Sequence, residues 1–217
     1  MKRFLSSNTK VKVVIFSAIA LVTFGTIKIN NWTENPEHDK GCPPGEKGVS
    51  EATGDGLFGA MSALSWLQYG GTVNDASCLD KTSVHGVIQI NTEQDIRDAL
   101  VYANDNDLSV SIAGVRHSMG GQAFKKDGLV LDMLAFNQIE LDEEAMTMRV
   151  QSGATWHDIQ NVLHPKYAVS AMQSTDIFSV GGSISVNAHG MDHQIGAVEN
   201  SIVSLQVMLA DGTIKKA

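Results

Sequence analysis

Residues 109–124 read SVSIAGVRHSMGGQAF: an alternating apolar stretch runs into a loop holding Gly114, Arg116, His117, Gly120 and Gly121. Consecutive N–H groups in such a turn can converge on an anion, because glycine accepts positive φ and has no Cβ to block close approach. A diphosphate suits such a loop, and a simple tight turn is the competing reading. The spacing is not the dinucleotide pattern G-x-G-x-x-G, and no Lys-Ser or Lys-Thr pair follows the glycines to complete a nucleotide P-loop. A second small-residue segment, SVGGSISVNAHG, occupies residues 179–190.

Two weaker constellations stand elsewhere. His189 and His193 are four apart, a spacing that ligates a metal on a helix, but the surrounding AHGMDHQIG reads as a loop and no metal is expected. His157 and Asp158 follow Trp156 on a helical pattern with no serine or cysteine elbow, so they read as a solvated helix face rather than part of a hydrolase triad.

The elements that position these loops follow from periodicity. GVIQI (86–90) is a strand candidate, and Thr92 with Asp95 forms a helix start in which hydroxyl and carboxylate satisfy free N–H groups. Ile96, Ala99, Leu100 and Ala103 share one face of that helix. NDND (104–107) ends it, and LSVSIA (108–113) is a strand feeding the glycine loop. GLVLDM then reads as a strand, and QIELD with MTMRVQSG as a hairpin turning at Glu143 and Glu144. Thr155 and Asp158 cap a second helix with the apolar face Trp156, Ile159, Val162 and Leu163, stopped by Pro165. SIVSLQVMLADGTI (201–214) is a hairpin with Asp211-Gly212 at its turn. The order of elements is mixed α+β.

A chain of 217 residues can hold one domain and a tail, and 16 basic against 24 acidic residues, net −8, argue against a nucleic-acid partner and for a small molecule. Lys2, Arg3, Lys10 and Lys12 precede the uncharged run VVIFSAIALVTFGTI, residues 13–27. Basic residues followed by a run of about 15 describe a secretory signal or a short membrane anchor, with a buried helix as the remaining alternative. No small-residue cleavage pattern stands out, so an uncleaved anchor with its basic end in the cytoplasm is preferred. Residues 1–29 are thus read as an N-terminal membrane-anchor or signal helix, 30–71 as a polar linker with a short apolar helix at 57–71, and 72–217 as the compact domain. That domain would face the extracytoplasmic side, or be secreted if the segment is cleaved. Cys42 and Cys78 are too few to define a framework, and pairing and free thiols both stay open.

VSIAGVRHSMGGQAF, GLVLDMLAFNQIELDEEAMTMRVQSGATWHDIQNVL, SVGGSISVNAHG and VSLQVMLADG, in that order, resemble the FAD-binding domain of the vanillyl-alcohol oxidase and p-cresol methylhydroxylase (PCMH-type) flavoprotein family. The upstream NDASCLDKTSVHGVIQINTEQDI is similar to the leading segment of its sugar-lactone and alditol oxidase-like members, so the likeness covers residues 73–217. It implies two small α+β subdomains with an extended FAD between them, the glycine loop wrapping the diphosphate. Ala113, Gly114, Val115, Arg116, His117, Ser118, Met119 and Gly120 would then supply mostly backbone contacts. Ser118 would add a hydroxyl donor, and Arg116 would sit near the phosphates unless it is an exposed surface arginine. Ser174, Thr175, Ser179, Gly181, Gly182, Ser185, Asn187, Ala188, His189 and Gly190 would run along the isoalloxazine and ribityl side. Ile202 would meet the adenine through its backbone or be a plain core residue.

The resemblance also implies a bond from the His117 ring to the 8α-methyl of the flavin, which needs an unprotonated imidazole nitrogen on a rigid loop. The competing role is packing or hydrogen bonding on the flavin. QSTDIFSVGGSIS holds no cysteine, so attachment at a second point is not expected. Asn91 stands where related proteins carry a proline. The activity implied is hydride removal from a CH–OH carbon of a sugar, lactone or other alcohol, with electrons passed to oxygen or another acceptor; no catalytic residue is identified. The sequence stops at Ala217, where family members continue into a substrate domain, so the expectation is a fragment. The alternative function is a tethered flavin-binding or electron-transfer module without catalysis.

Overall fold

The computed structural model describes residues 12–16, 47–49 and 64–217. In chain order the elements are β1 (Lys12–Phe16), β2 (Lys47–Val49), β3 (Trp66–Val73), β4 (Thr82–Ser83), β5 (Gly86–Gln89), α1 (Glu93–Asp105), β6 (Val110–Ala113), β7 (Leu129–Asp132), β8 (Ile139–Asp142), β9 (Thr147–Gln151), α2 (Trp156–Leu163), α3 (Val180–Ser185), β10 (Ile202–Met208) and β11 (Ile214–Lys216).

The first sheet has the order β2-β3-β5-β7-β6, with β4 against β3. β7 runs parallel to both of its neighbours, so each parallel step needs a crossover. α1 makes the step from β5 to β6, and the glycine loop with the residues after it makes the step from β6 to β7. The two connections cover opposite faces. Leu129 and Leu131 pack with Ile88, Ile96 and Leu100, while Val130 packs with Val87, Ala123 and Phe124. Burial on both faces is why β7 carries three consecutive apolar residues, Leu129 to Leu131, instead of alternating. α1 has the expected capping box between Thr92 and Asp95, and its buried residues are Ile96, Ala99, Leu100 and Ala103. Burying each Ile or Leu of that face stabilises by roughly 1.5–3 kcal/mol.

The second sheet has the order β11-β10-β1-β9-β8. β8 with β9 and β10 with β11 are the two expected antiparallel hairpins. α2, again started by a capping box (Thr155 and Asp158), sends Trp156, Ile159 and Leu163 into a core shared with Met148, Val150, Val180 and Val198. Two α+β units, each a sheet with its own helices, therefore match the expected architecture.

Three sequence expectations are corrected. In the apolar stretch at 57–71, where a short helix is expected, Trp66–Val73 is strand β3, and residues 57–63 lie outside the described residues. Trp66 stacks on Tyr69 at 4.1 Å and meets Tyr102 of α1 edge-on at 5.3 Å, so aromatic packing on a pleated surface decides the outcome. The ordered domain accordingly begins before Thr72, since Leu64 already belongs to the first core. Lys12–Phe16 is a strand parallel to both β9 and β10, and residues 17–46, which hold the rest of the run expected to form an anchor or signal helix, lie outside the described residues. Val162, placed on the apolar face of the second helix, is 43% exposed, because the core contact of α2 is carried by Trp156, Ile159 and Leu163. Among the described residues no helix is long and apolar enough to cross a membrane. Cys78 is disulfide-bonded, and Cys42 is the chain's other cysteine.

Candidate functional site

β6 and β7 end side by side at Ala113 and Asp132, and the glycine loop leaves from that edge. Carboxyl ends of parallel strands are where open α/β sheets place ligands. Ala113 is buried, and its carbonyl accepts from Met133 N–H at 2.8 Å. Arg116 adopts φ +68, a left-handed conformation costing a non-glycine residue roughly 1–2 kcal/mol. Its side chain is not the exposed arginine considered above. It is 2% exposed and forms an ion pair with Asp132, whose other oxygen accepts from Leu134 N–H at 3.1 Å. Burial pushes the guanidinium pKa down and Asp132 pulls it back up. Arginine keeps its charge regardless. Two of its donors, Nε and Nη1, are buried with no hydrogen-bond partner. Such orphaned donors in a native fold call for an acceptor.

The far end of the loop is already engaged. Asp75 is buried, and its Oδ2 accepts from Gly120 N–H at 3.2 Å and Gly121 N–H at 2.8 Å. Ala76 N–H donates to the Arg116 carbonyl at 3.1 Å. The Gly120 amide, a candidate for the cofactor from sequence, is thus bound to a side chain of its own protein. Residues 114–118 form no hydrogen-bonded turn, whereas 119 and 120 do.

The two small-residue segments meet. A Cβ on Gly114 would lie 2.1 Å from Ser179 Oγ and 2.9 Å from Ser179 Cβ, so only glycine fits there. The His117 ring packs edge-on against Phe178 with centroids 4.9 Å apart. Beyond Ser179, Val180 N–H donates to Ala154 O at 2.8 Å and Gly181 N–H to Ser152 O at 2.9 Å. A Cβ on Gly181 would meet Ser152 Cβ at 2.8 Å, so this glycine seats α3 on the 152–154 turn. Ser152 Oγ is a further buried hydroxyl without a partner. Ser185 Oγ donates to Gly181 O at 2.7 Å, and Asn187 Nδ2 donates to Glu199 Oε2 at 2.6 Å. Gly182, Ser174 and Thr175 are exposed. Ala188 is buried, and exposed His189 forms a bridge with Ala197 while its Nδ1 lies 3.1 Å from Gly190 O. Ile202 opens β10 and lines a small cleft with Trp156, Val169 and Val198. His157 Nδ1 lies 2.9 Å from Asp176 Oδ2 on the exposed side of α2.

The structure therefore gathers Gly114, Arg116, His117 and Ser179 at one edge, while Ser174, Thr175 and His189 lie on exposed chain. Sequence reading missed Asp75, Asp132, Ser152 and Phe178. Asp132 left a trace, as the one charged residue in a buried apolar strand; the other three carried no local signal. Buried cationic donors, an orphaned hydroxyl and a glycine-lined loop are the donor set an extended anionic cofactor requires. A family model described as an FAD binding domain matches residues 84–217. The chain belongs to that family.

FAD is accordingly the cofactor of this domain. The FAD-linked oxidoreductase pgmH of Aspergillus terreus is 30% identical over 139 residues, 60% of this chain and 27% of that protein. L-gulonolactone oxidase of Mus musculus is 28% identical over 126 residues, 55% of this chain and 28% of that enzyme. Phl p 4, a grass pollen allergen with glucose dehydrogenase activity, shares the fold at 18% identity and TM-score 0.55, covering 63% of this chain and 29% of that one. The chain spans under a third of the length of the curated relatives it matches.

Proposed function

We propose that the chain is the FAD-binding part of an oxidoreductase that removes a hydride from a CH–OH carbon of a small molecule, a sugar, lactone or related alcohol. The observation that carries this reading is the meeting of the two loops, Gly114 against Ser179 and His117 against Phe178. The names of the relatives support the oxidoreductase class and the sugar-like substrate. FAD, when bound, supplies the hydride acceptor. The chain's part is to hold and orient it: the amides of residues 114–119 and the free donors of Arg116 receive the diphosphate, and Ser118 adds its hydroxyl. Ser179 and α3 border the flavin side, and Ile202 the adenine side.

His117 is proposed to carry the flavin covalently. Its place on a tied loop beside Phe178 supports this, since the bond needs an imidazole held in one orientation. Attachment exchanges one methyl hydrogen and the imidazole N–H for an N–C bond and passes two electrons to an acceptor such as oxygen. Export or anchoring through the basic N-terminus is proposed as well, and the disulfide at Cys78 supports an oxidising compartment. Recovery of a tagged chain in the membrane fraction, the periplasm or the culture medium checks it; retention in the cytosolic fraction contradicts it.

The activity is tested by mixing the FAD-loaded protein, expressed with any natural C-terminal extension, anaerobically with lactones, alditols and glucose while following the yellow flavin band. Bleaching by one of these classes is the expected result. A flavin that stays oxidised with all of them, yet is reduced by dithionite, contradicts the enzyme reading and leaves a flavin-binding module.

A further inference from the structure

We propose that Asp75 is the positioning residue that holds the glycine loop in its diphosphate-gripping shape; this rests on the FAD reading above. Asp75 lies 45 residues before Gly120, yet the carboxylate of this buried residue is shared between the loop and its own turn. One oxygen accepts from the Gly120 and Gly121 amides, and the other from Ser77 N–H at 2.8 Å and from Ser77 Oγ. Both oxygens are thus double acceptors. An asparagine at this position would turn one of them into a donor facing donors, and a glutamate would push its head group past both sets. The neighbouring Ala76 N–H holds the other end of the loop through the Arg116 carbonyl.

These ties stand at the two ends of residues 117–119. Arg116 is fixed from one side by Asp132 and through its carbonyl by Ala76, while Gly120 and Gly121 are fixed by Asp75. His117 and Ser118 lie between the pins outside any helix, strand or hydrogen-bonded turn, and residues 119 and 120 form a turn next to the Asp75 contact. A loop whose amides converge before the anion arrives binds it without reorganising, and releasing one pin makes binding bear that ordering cost. The carboxylate does not compete with the diphosphate for those amides, because it occupies a different pair.

The test compares the full chain with Asp75→Asn and Ser77→Ala by residue-resolved amide hydrogen exchange and by FAD titration. In Asp75→Asn, Gly120 and Gly121 are expected to exchange faster while the β6 and β7 amides stay protected, and the Kd for FAD to rise at least tenfold. Unchanged exchange at the two glycines, or opened exchange with unchanged affinity, overturns the proposal and leaves the FAD reading standing. Loss of protection throughout β6 and β7 overturns it too, as a merely structural role. If Asp75→Asn does not fold, Ser77→Ala decides: a threefold to fivefold weaker affinity supports the proposal, and wild-type affinity overturns it. A wild-type chain that binds no FAD at all brings down the FAD reading itself.

Discussion

The guanidinium of Arg116 and the carboxylate of Asp132 pair at the carboxyl ends of two adjacent parallel strands, with side chains 2% and 4% exposed. The pair spans the crossover that carries the glycine loop, so the strand end and the loop cannot separate without exposing or orphaning a charge. Removing one partner of a buried pair costs about 3–5 kcal/mol, whereas removing both leaves no uncompensated charge. Asp132→Ala should therefore destabilise the chain by about that amount. Arg116→Gly combined with Asp132→Ala should cost less than Asp132→Ala alone, since glycine also relieves the left-handed backbone at φ +68. Urea unfolding of the three proteins checks both statements. A double variant less stable than the single would contradict this account of the pair.

His85 gives a pH dependence of known sign. Its Nε2 lies 2.9 Å from Tyr102 Oη, and burial lowers its pKa. The unfolded chain then binds the proton more readily than the folded one, so this contribution is complete above the unfolded value near 6.5 and is lost as pH falls through the lowered folded value. His85→Gln should flatten the fall in thermal midpoint between about pH 7 and pH 5 relative to wild type. Parallel curves for the two proteins would contradict the assignment.

α2 separates what periodicity can and cannot predict. Ile159 is fully buried, and Ile159→Ala should cost about 2–5 kcal/mol. Val162 lies on the exposed side, and Val162→Ala should change stability by less than about 0.5 kcal/mol. Denaturant midpoints of both variants check the contrast.

That contrast shows where the sequence was readable. Helices α1 and α2 with their capping boxes, and the hairpins β8–β9 and β10–β11, follow from short-range chemistry, so Thr92 with Asp95 and Thr155 with Asp158 could be read directly. β3 could not, because an apolar run beside Trp66 fits helix and strand alike until Tyr69 and Tyr102 pack against it. Within the site, the glycine loop and His117 were legible as local composition. Its framing was not. Asp75 reaches Gly121 and Asp132 reaches Arg116 only through the fold, and no spacing rule announces either contact. An arginine at positive φ is equally invisible in sequence, since its ion pair with Asp132 and the Ala76 N–H bond to its carbonyl form only in the fold.

His117 yields a chemical prediction. Acid precipitation of the flavin-loaded full chain should leave yellow colour in the pellet, and His117→Ala should release it to the supernatant while still binding FAD. Colour released from the wild-type protein would confine His117 to packing beside Phe178.

The decisive measurement is hydrogen exchange of the backbone amides with and without saturating FAD. Binding at one FAD per chain, with slowed exchange at residues 114–119 and little change at the already tied Gly120 and Gly121, is the expected result. FAD that binds while the amides of residues 114–119 exchange as before would place the cofactor elsewhere and contradict the role given to this loop.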